Sequence, residues 1–313
     1  MFADAALAAR IDRAEARLSA GVADVVGKRR PEYRTVVMPL SGGLAVYAAP
    51  NSPVNKVIGI GFDGPLDLEV LAAIEEEWRT RDEAVRFELS VLADPSVPVA
   101  LSERGYHVHG YEIVLGQPLV ANADDARDGE GVTMIDESGA RTTIAPAPAA
   151  APAERAGAGA GLTVEELRPE DEGIWSDIAV TAFTNLDGSG SAADDSIPTD
   201  DLREALNDFA GAPGFRRYLA RFDGTPIGAA NLRIDGDLAQ VAGAGTLPAA
   251  RGRGAQKALL ARRLEDSRKA GATLAVVTTS PGTRSQENVM RRGFILLYTR
   301  IILVKRWGAG PGA

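Results

Sequence analysis

Between positions 246 and 256 the chain reads Thr-Leu-Pro-Ala-Ala-Arg-Gly-Arg-Gly-Ala-Gln, and Lys257 follows. Glycines set among arginines are material for holding a phosphate. Gly252 and Gly254 let the main chain come close to a ligand. Arg251, Arg253 and Lys257 bring positive charge into a chain whose net charge is -9. If the run leads from a strand into a helix, the unpaired N–H groups of the first helical turn and the helix dipole complete an anion site. Spacing alone leaves a second reading open, an ordinary connection with a solvated basic helix start. A P-loop is excluded because Gly-Lys-Ser/Thr is absent, and a dinucleotide fingerprint would need a third glycine and a later acidic residue. Just upstream, Gly243, Ala244 and Gly245 lack the bulk of a strand interior, which predicts a bulge or the close passage of a ligand.

Other reactive groups are scarce. The sequence has no cysteine, hence no disulfide, no thiolate metal ligand and no thiol nucleophile, and its only histidines are His107 and His109, so no metal site is expected. The second half holds no histidine, so a base there has to be a carboxylate. Asp187, Asp194, Asp195, Asp200 and Asp201 cluster in one polar stretch, with Asp187 a candidate base. A solvated acidic loop, with Asp200 capping the next helix, is the commoner use of such a stretch; either way it would attract cations. The pI near 5.0 argues against a nucleic-acid partner, and no apolar run approaches the roughly 20 residues that span a bilayer. A cytoplasmic protein is the expectation.

These groups must be carried by a frame. With 313 residues, two domains are expected. Leu7, Ile11, Ala14, Leu18 and Val22 form a helical stripe within 1–30. The stretch 144–161 is rich in Ala, Pro and Gly and offers no large side chain to bury, so it reads as a linker between separately packed halves. The expected division is 1–123, a linker over 124–161, and 162–313. In the second half, periodicity and turn signals predict a strand at 162–167, helices at 170–183 and 199–209, and strands at 215–222, 227–234 and 239–247. A helix at 256–270 stopped by Gly271, a strand at 274–279, a short helix at 285–292 and a strand or hairpin at 294–304 complete a mixed α/β domain.

The loop and this element order together resemble the GNAT superfamily of N-acetyltransferases, whose acetyl-CoA motif is Arg/Gln-x-x-Gly-x-Gly/Ala. Arg251 and Gly254 stand at its first and fourth positions, and Gly293-Phe294 resembles the family's Gly-Phe after the last helix. The resemblance implies the acyl-CoA N-acyltransferase fold, a pyrophosphate held by the backbone of Gly252, Arg253, Gly254, Ala255, Gln256 and Lys257, and a pantetheine arm along the strand near Leu247. Asn288 is a candidate polar contact to the cosubstrate, with a plain surface asparagine the alternative. Two departures stand out. Gln256 takes a place where the family prefers Gly or Ala, and Val289 stands where many relatives carry a tyrosine that protonates the departing thiolate. Tyr298 is the nearest substitute in sequence, although a tyrosine in a closing strand is packing more often than catalysis. The implied function is direct acetyl transfer from acetyl-CoA to a primary amine of a small molecule or peptide. A non-catalytic acetyl-CoA-binding sensor and a plain scaffold are the alternatives.

The first half predicts strand 57–62, helix 66–78, strand 85–92, helix 95–104 and strand 107–115, the order of the second half's CoA-binding segment. Arg104-Gly105-Tyr106 echoes Arg292-Gly293-Phe294, and Gly64 to Gly105 spans 41 positions against 39 for Gly254 to Gly293. The first half therefore reads as a degenerate GNAT-like copy that binds no CoA and serves as packing partner, pseudo-dimer mate or wall of the substrate cleft: Asp63 replaces a basic residue, Pro65 removes a donor and Asp67 adds negative charge. His107 and His109 read as structural.

Overall fold

A computed structural model describes residues 3–119, 132–135, 141–144, 161–185 and 198–307. Helix α1 (Ala5–Arg29) opens with the Asp4 side chain accepting the Leu7 N–H, and buries Ala8, Ile11, Ala14, Leu18, Val22 and Val26 along one stripe. Strands β1 (Val36–Leu40) and β2 (Gly43–Tyr47) form a hairpin through Ser41 and Gly42, both at positive φ, the turn whose twist matches its strands. Then come β3 (Lys56–Ile58), α2 (Leu68–Arg79), β4 (Val85–Ser90), α3 (Ser96–Glu103) and β5 (His107–Pro118). Strand β3 is shorter than the predicted 57–62 because Gly59 and Gly61, both at φ 80°, turn the chain away. Of the expected linker, the described part is a separate hairpin of β6 (Val132–Ile135) and β7 (Arg141–Ile144).

The second half runs β8 (Leu162–Glu166), α4 (Glu172–Thr184), α5 (Thr199–Ala210), β9 (Phe215–Phe222), β10 (Thr225–Asp235), β11 (Leu238–Thr246), α6 (Ala255–Lys269), β12 (Leu274–Thr279), α7 (Arg284–Met290) and β13 (Ile295–Lys305). Each lies within a few residues of its expected place, and β13, expected as a strand or a hairpin, is one strand.

Eleven strands form one mixed sheet in the order β1-β2-β3-β4-β13-β5-β12-β11-β10-β9-β8. Among the described residues only β3/β4 and β11/β12 are parallel, at equivalent places in the two halves. The halves are not separately packed, as the linker had suggested. β5, the last strand of the first half's repeat, pairs with β12 of the second, and β13 of the second pairs with β4 of the first. The two exchanged strands run antiparallel at the centre. Exchanged strands thus join the two halves into one sheet.

Alternation along the strands assigns the faces. Tyr218, Ala220 and Ala230 pack with Leu259, Leu260 and Leu264 of α6, while the intervening Leu219 and Ala229 pack with Trp175 of α4 and Leu206 of α5. In the first half Ala45 and Tyr47 meet Leu71, Ile74 and Trp78 of α2, and Val46 meets Val22 and Val26 of α1. α1 crosses the join: its Ala8 and Ile11 cover Val114, Leu238, Leu274 and Val276 from three central strands. Among the described residues no helix is long and apolar enough to cross a membrane.

Candidate functional site

The basic turn lies where β11 gives way to α6. Gly254, at φ 85°, is the N-cap of α6, and no side chain caps the helix. The first intrahelical bond runs from the Ala258 N–H to the Gly254 carbonyl, so the N–H groups of Ala255, Gln256 and Lys257 have no partner within the helix. No acidic residue occupies the first turn. Gly252 also sits at positive φ, 82°, with open space around its Cα. Arg251, Gly252, Arg253 and Gly254 are exposed, Lys257 is exposed, and Gln256 is half-buried. Arg253 lies over the Phe222 ring, 5.0 Å from its centre, and Arg251 donates to the Asn185 carbonyl. The Leu247 N–H is used within the sheet, donating to Ile227 O at 2.9 Å. The arrangement is a cationic turn with outward-facing donors.

Behind the turn, two parallel strands part. β11 and β12 pair only through Leu238/Leu274, Ala239/Ala275 and Gln240/Val276, although β11 runs on to Thr246 and β12 to Thr279. A β-bulge causes the divergence. Ala230 faces Ala244 and Asn231 faces Ala242 across β10, which leaves Gly243 as the extra residue, at φ 42°. A Cβ on Gly243 would lie 2.9 Å from Asn231 Nδ2. Gly245 is small for another reason, since a Cβ there would stand 2.2 Å from the Ala182 Cβ of α4. The bulge is held from below by Arg263 of α6, fully buried, which donates from Nη1 to the carbonyls of Asn231 at 2.9 Å and Ala242 at 3.1 Å. Burial lowers its pKa to about 10, leaving it a cation at neutral pH. Nothing in the spacing of Arg263 announced this role.

The equivalent turn of the first half is closed. Asp67 caps α2, its carboxylate accepting the Glu69 and Val70 N–H groups at 3.0 Å. The chain thus supplies its own anion to the donors that α6 leaves free. Asp63 is bound by Arg13 at 2.7 Å. In the structure it is Asp67, and not Gly64, that matches Gly254: Asp67 to Gly105 spans 38 positions, against 39 in the second half.

On the face covered by α1 and α5 lies a cavity of about 760 Å³, lined by Gln240 to Gly243 of β11, Val276 to Thr278 of β12, Glu112 of β5 and, from the first half, Glu15, Lys56 and Glu88 among others. Its floor is an ion network drawn from both halves. Arg300 of β13 donates to Asp12 at 3.0 and 2.7 Å and to Glu15 at 2.7 Å, and Lys56 bonds Glu15 at 2.6 Å and Glu88 at 2.8 Å. Burial raises the Asp12 pKa; Glu15 feels burial too, but Arg300 and Lys56 outweigh it and hold that carboxyl below the usual range.

The remaining candidates lie apart. Asn288 is exposed on α7, and the neighbouring Val289 is buried in the α6 core. Tyr298 is buried at the join, donating its hydroxyl to Asp12 at 2.6 Å, and burial with the Asp12 charge drives its pKa upward. Asp187, Asp194 and Asp195 lie outside the described residues. Asp200 and Asp201 sit in the first turn of α5 behind Pro198, the N-cap, and Asp201 accepts from Asn51 at 2.9 Å. His107 is exposed at the start of β5 and His109 half-buried.

Comparison with known proteins agrees with this geometry. Residues 175–294 match the family model described as acetyltransferase (GNAT) family. No curated protein matches the sequence. Among solved structures, a GCN5-related N-acetyltransferase from Kribbella flavida is similar over 97% of this chain and 96% of its own, at 21% identity and a TM-score of 0.57. A tandem GNAT protein from the clavulanic acid biosynthesis pathway is similar over 92% and 88%, at 15% identity and a TM-score of 0.51. At these identities the likeness is one of fold, and it extends through the first half. Residues 175–294 thus resemble the acetyltransferase (GNAT) family, in a chain whose fold is similar to that of a tandem GNAT protein.

Proposed function

We propose that this protein transfers the acetyl group of acetyl-CoA to a primary amine of a small molecule or peptide by direct attack. The observation that carries the reading is the uncapped, basic start of α6 at the end where β11 and β12 part around the Gly243 bulge. A pyrophosphate suits the N–H groups of Gly252 to Lys257 and the charges of Arg251, Arg253 and Lys257. A thin arm suits the unpaired stretch of β11 toward Leu247, and Asn288 would flank it. The acyl end would then face the cavity. With no cysteine in the sequence, a thiol acyl-enzyme is not available, so the amine attacks the thioester directly.

Positioning is the main device. An alkylammonium with a reference pKa near 10.4 costs about 4 to 5 kcal/mol to present as free amine at neutral pH, so a base must assist. A second reading, an acetyl-CoA sensor without turnover, is favoured by the apolar Val289 where many relatives place a tyrosine acid. Calorimetry with acetyl-CoA, followed by a free-thiol assay across alkylamines, polyamines, amino acids and peptide N-termini, separates the two. Binding with CoA release supports the enzyme, binding without release supports the sensor, and no binding defeats both.

A further inference from the structure

We propose that Glu112, carried on the strand that the first half lends to the second, is the general base that takes a proton from the acceptor ammonium. The proposal deepens the acetyl-transfer reading and rests on it. Glu112 lines the cavity together with Gln240 to Gly243 and Val276 to Thr278, the residues at which β11 and β12 part. On β5 it lies two residues before Val114, which pairs with Thr278, so it stands just beyond the end of β12 and on the same face. Among the described residues its Oε2 is buried and accepts no hydrogen bond. Its side chain is 21% exposed.

The surrounding charges explain why this carboxylate is the spare one. Around it stand Glu15 from α1, Lys56 from β3, Arg86 and Glu88 from β4, and Arg300 from β13, while Glu83 and Arg306 also line the cavity. Lys56 is bonded to Glu15 and Glu88, and Arg300 to Asp12 and Glu15. Arg86 lies 3.6 Å from Glu88. Arg300 Nη1 approaches Glu112 Oε2 no nearer than 3.7 Å. Lys56 and Arg300 are thus taken up at close range by Asp12, Glu15 and Glu88, which leaves Glu112 the carboxylate able to receive an incoming ammonium. Burial, with repulsion from Glu88, raises the Glu112 pKa to about 7, where a base is both available and strong enough to act.

The step balances as follows. The Glu112 carboxylate takes one proton from R–NH3+. The freed nitrogen lone pair attacks the thioester carbonyl carbon, the C–N bond forms and the C–S bond breaks. The proton left on nitrogen passes to the thiolate, giving the amide and CoA thiol, and Glu112 returns its proton to water. Glu83 is the rival carboxylate in the cavity, but it sits just ahead of β4, at the first half's end.

The test uses the full chain with acetyl-CoA and two small probes, n-butylamine, protonated at neutral pH, and methoxyamine, already neutral there. For n-butylamine, wild-type kcat/KM is expected to show an acid limb near pH 7, and Glu112→Gln to lose that limb with a rate lower by roughly 10² to 10⁴. The methoxyamine rate should fall far less. An equal loss with both probes, or a limb that vanishes in Glu83→Gln instead, overturns the assignment. Carbon-13 NMR of glutamate carboxyls gives an answer independent of turnover: one carboxyl titrating near 7, absent in Glu112→Gln and moved to lower pH by n-butylamine. A Glu112 signal indifferent to n-butylamine overturns the proposal. A responsive signal with acetyl-CoA bound but no CoA released would defeat the enzymatic reading, and the base with it, leaving an ammonium site.

Discussion

Arg300 of the last strand grips Asp12 of the first helix, with Nε at 3.0 Å and Nη2 at 2.7 Å from the same carboxylate oxygen. Both side chains are essentially without solvent contact, at 0% and 1% exposure. Removing the cation alone strands Asp12 and weakens the hold on Glu15. Arg300→Met is therefore expected to cost about 3 to 5 kcal/mol, read as a fall in urea midpoint. A change under about 1 kcal/mol would show that the network is not what ties α1 to the exchanged strands.

Glu112 makes a second, activity-free prediction. Its folded pKa, about 7, lies above the carboxyl reference of 4.5, so the folded state holds that proton more tightly than the unfolded state. Stability from this group is full below pH 4.5, declines as pH rises through 7, and is level above. Glu112→Gln should accordingly be more stable than wild type at about pH 8, on the order of 2 kcal/mol, and equal to it at about pH 4. Thermal melts at the two pH values check the crossover; a variant less stable at both would contradict it.

Gly254→Asp is expected to weaken acetyl-CoA binding at least about 100-fold, because it sets a carboxylate at the open start of α6 as Asp67 does at α2. The left-handed backbone at Gly254 adds strain of roughly 1 kcal/mol, small enough for the chain to stay folded. Circular dichroism on the same sample confirms the fold, and calorimetry reads the affinity.

The closed α2 start predicts a stoichiometry of one acetyl-CoA per chain. Two equivalents in calorimetry would mean that the Asp67 cap yields to phosphate.

Arg263→Met leaves the carbonyls of Asn231 and Ala242 without their donor. A loss of about 1 to 3 kcal/mol is expected. Hydrogen exchange should quicken around Gly243 while the β5/β13 pairing keeps its protection; uniform quickening would point to global loosening instead.

Much of this was legible in the sequence. Apolar periodicity and Asp-Gly turns placed β9, β10 and β11, and the Gly252 and Gly254 spacing located the turn because φ there must be positive. Small residues announced the Gly243 bulge, although Gly245 is small to admit Ala182. The β1/β2 hairpin went unread, its strand of Val-Val-Met-Pro-Leu lacking alternation and its Ser41-Gly42 turn being brief. Strand exchange was invisible for a deeper reason. β5 and β13 carry apolar faces that fit either half's sheet, so pattern fixes that they pair and leaves open with which neighbour. Glu112 went unnoticed likewise, since its importance comes from charges on α1, β3, β4 and β13 that only the exchange brings together.

The exchange also governs the order in which the chain can become complete during synthesis. β4 has no partner on its outer side until β13 arrives, and Trp307 closes the same edge by donating to the Glu83 carbonyl, 224 residues earlier, at 2.6 Å. Until then the ribosome exposes a first half with an open strand edge, the kind that pairs with the wrong chain. Contacts this distant slow folding, and a product cut short before β13 would lack not a domain but the closure of both.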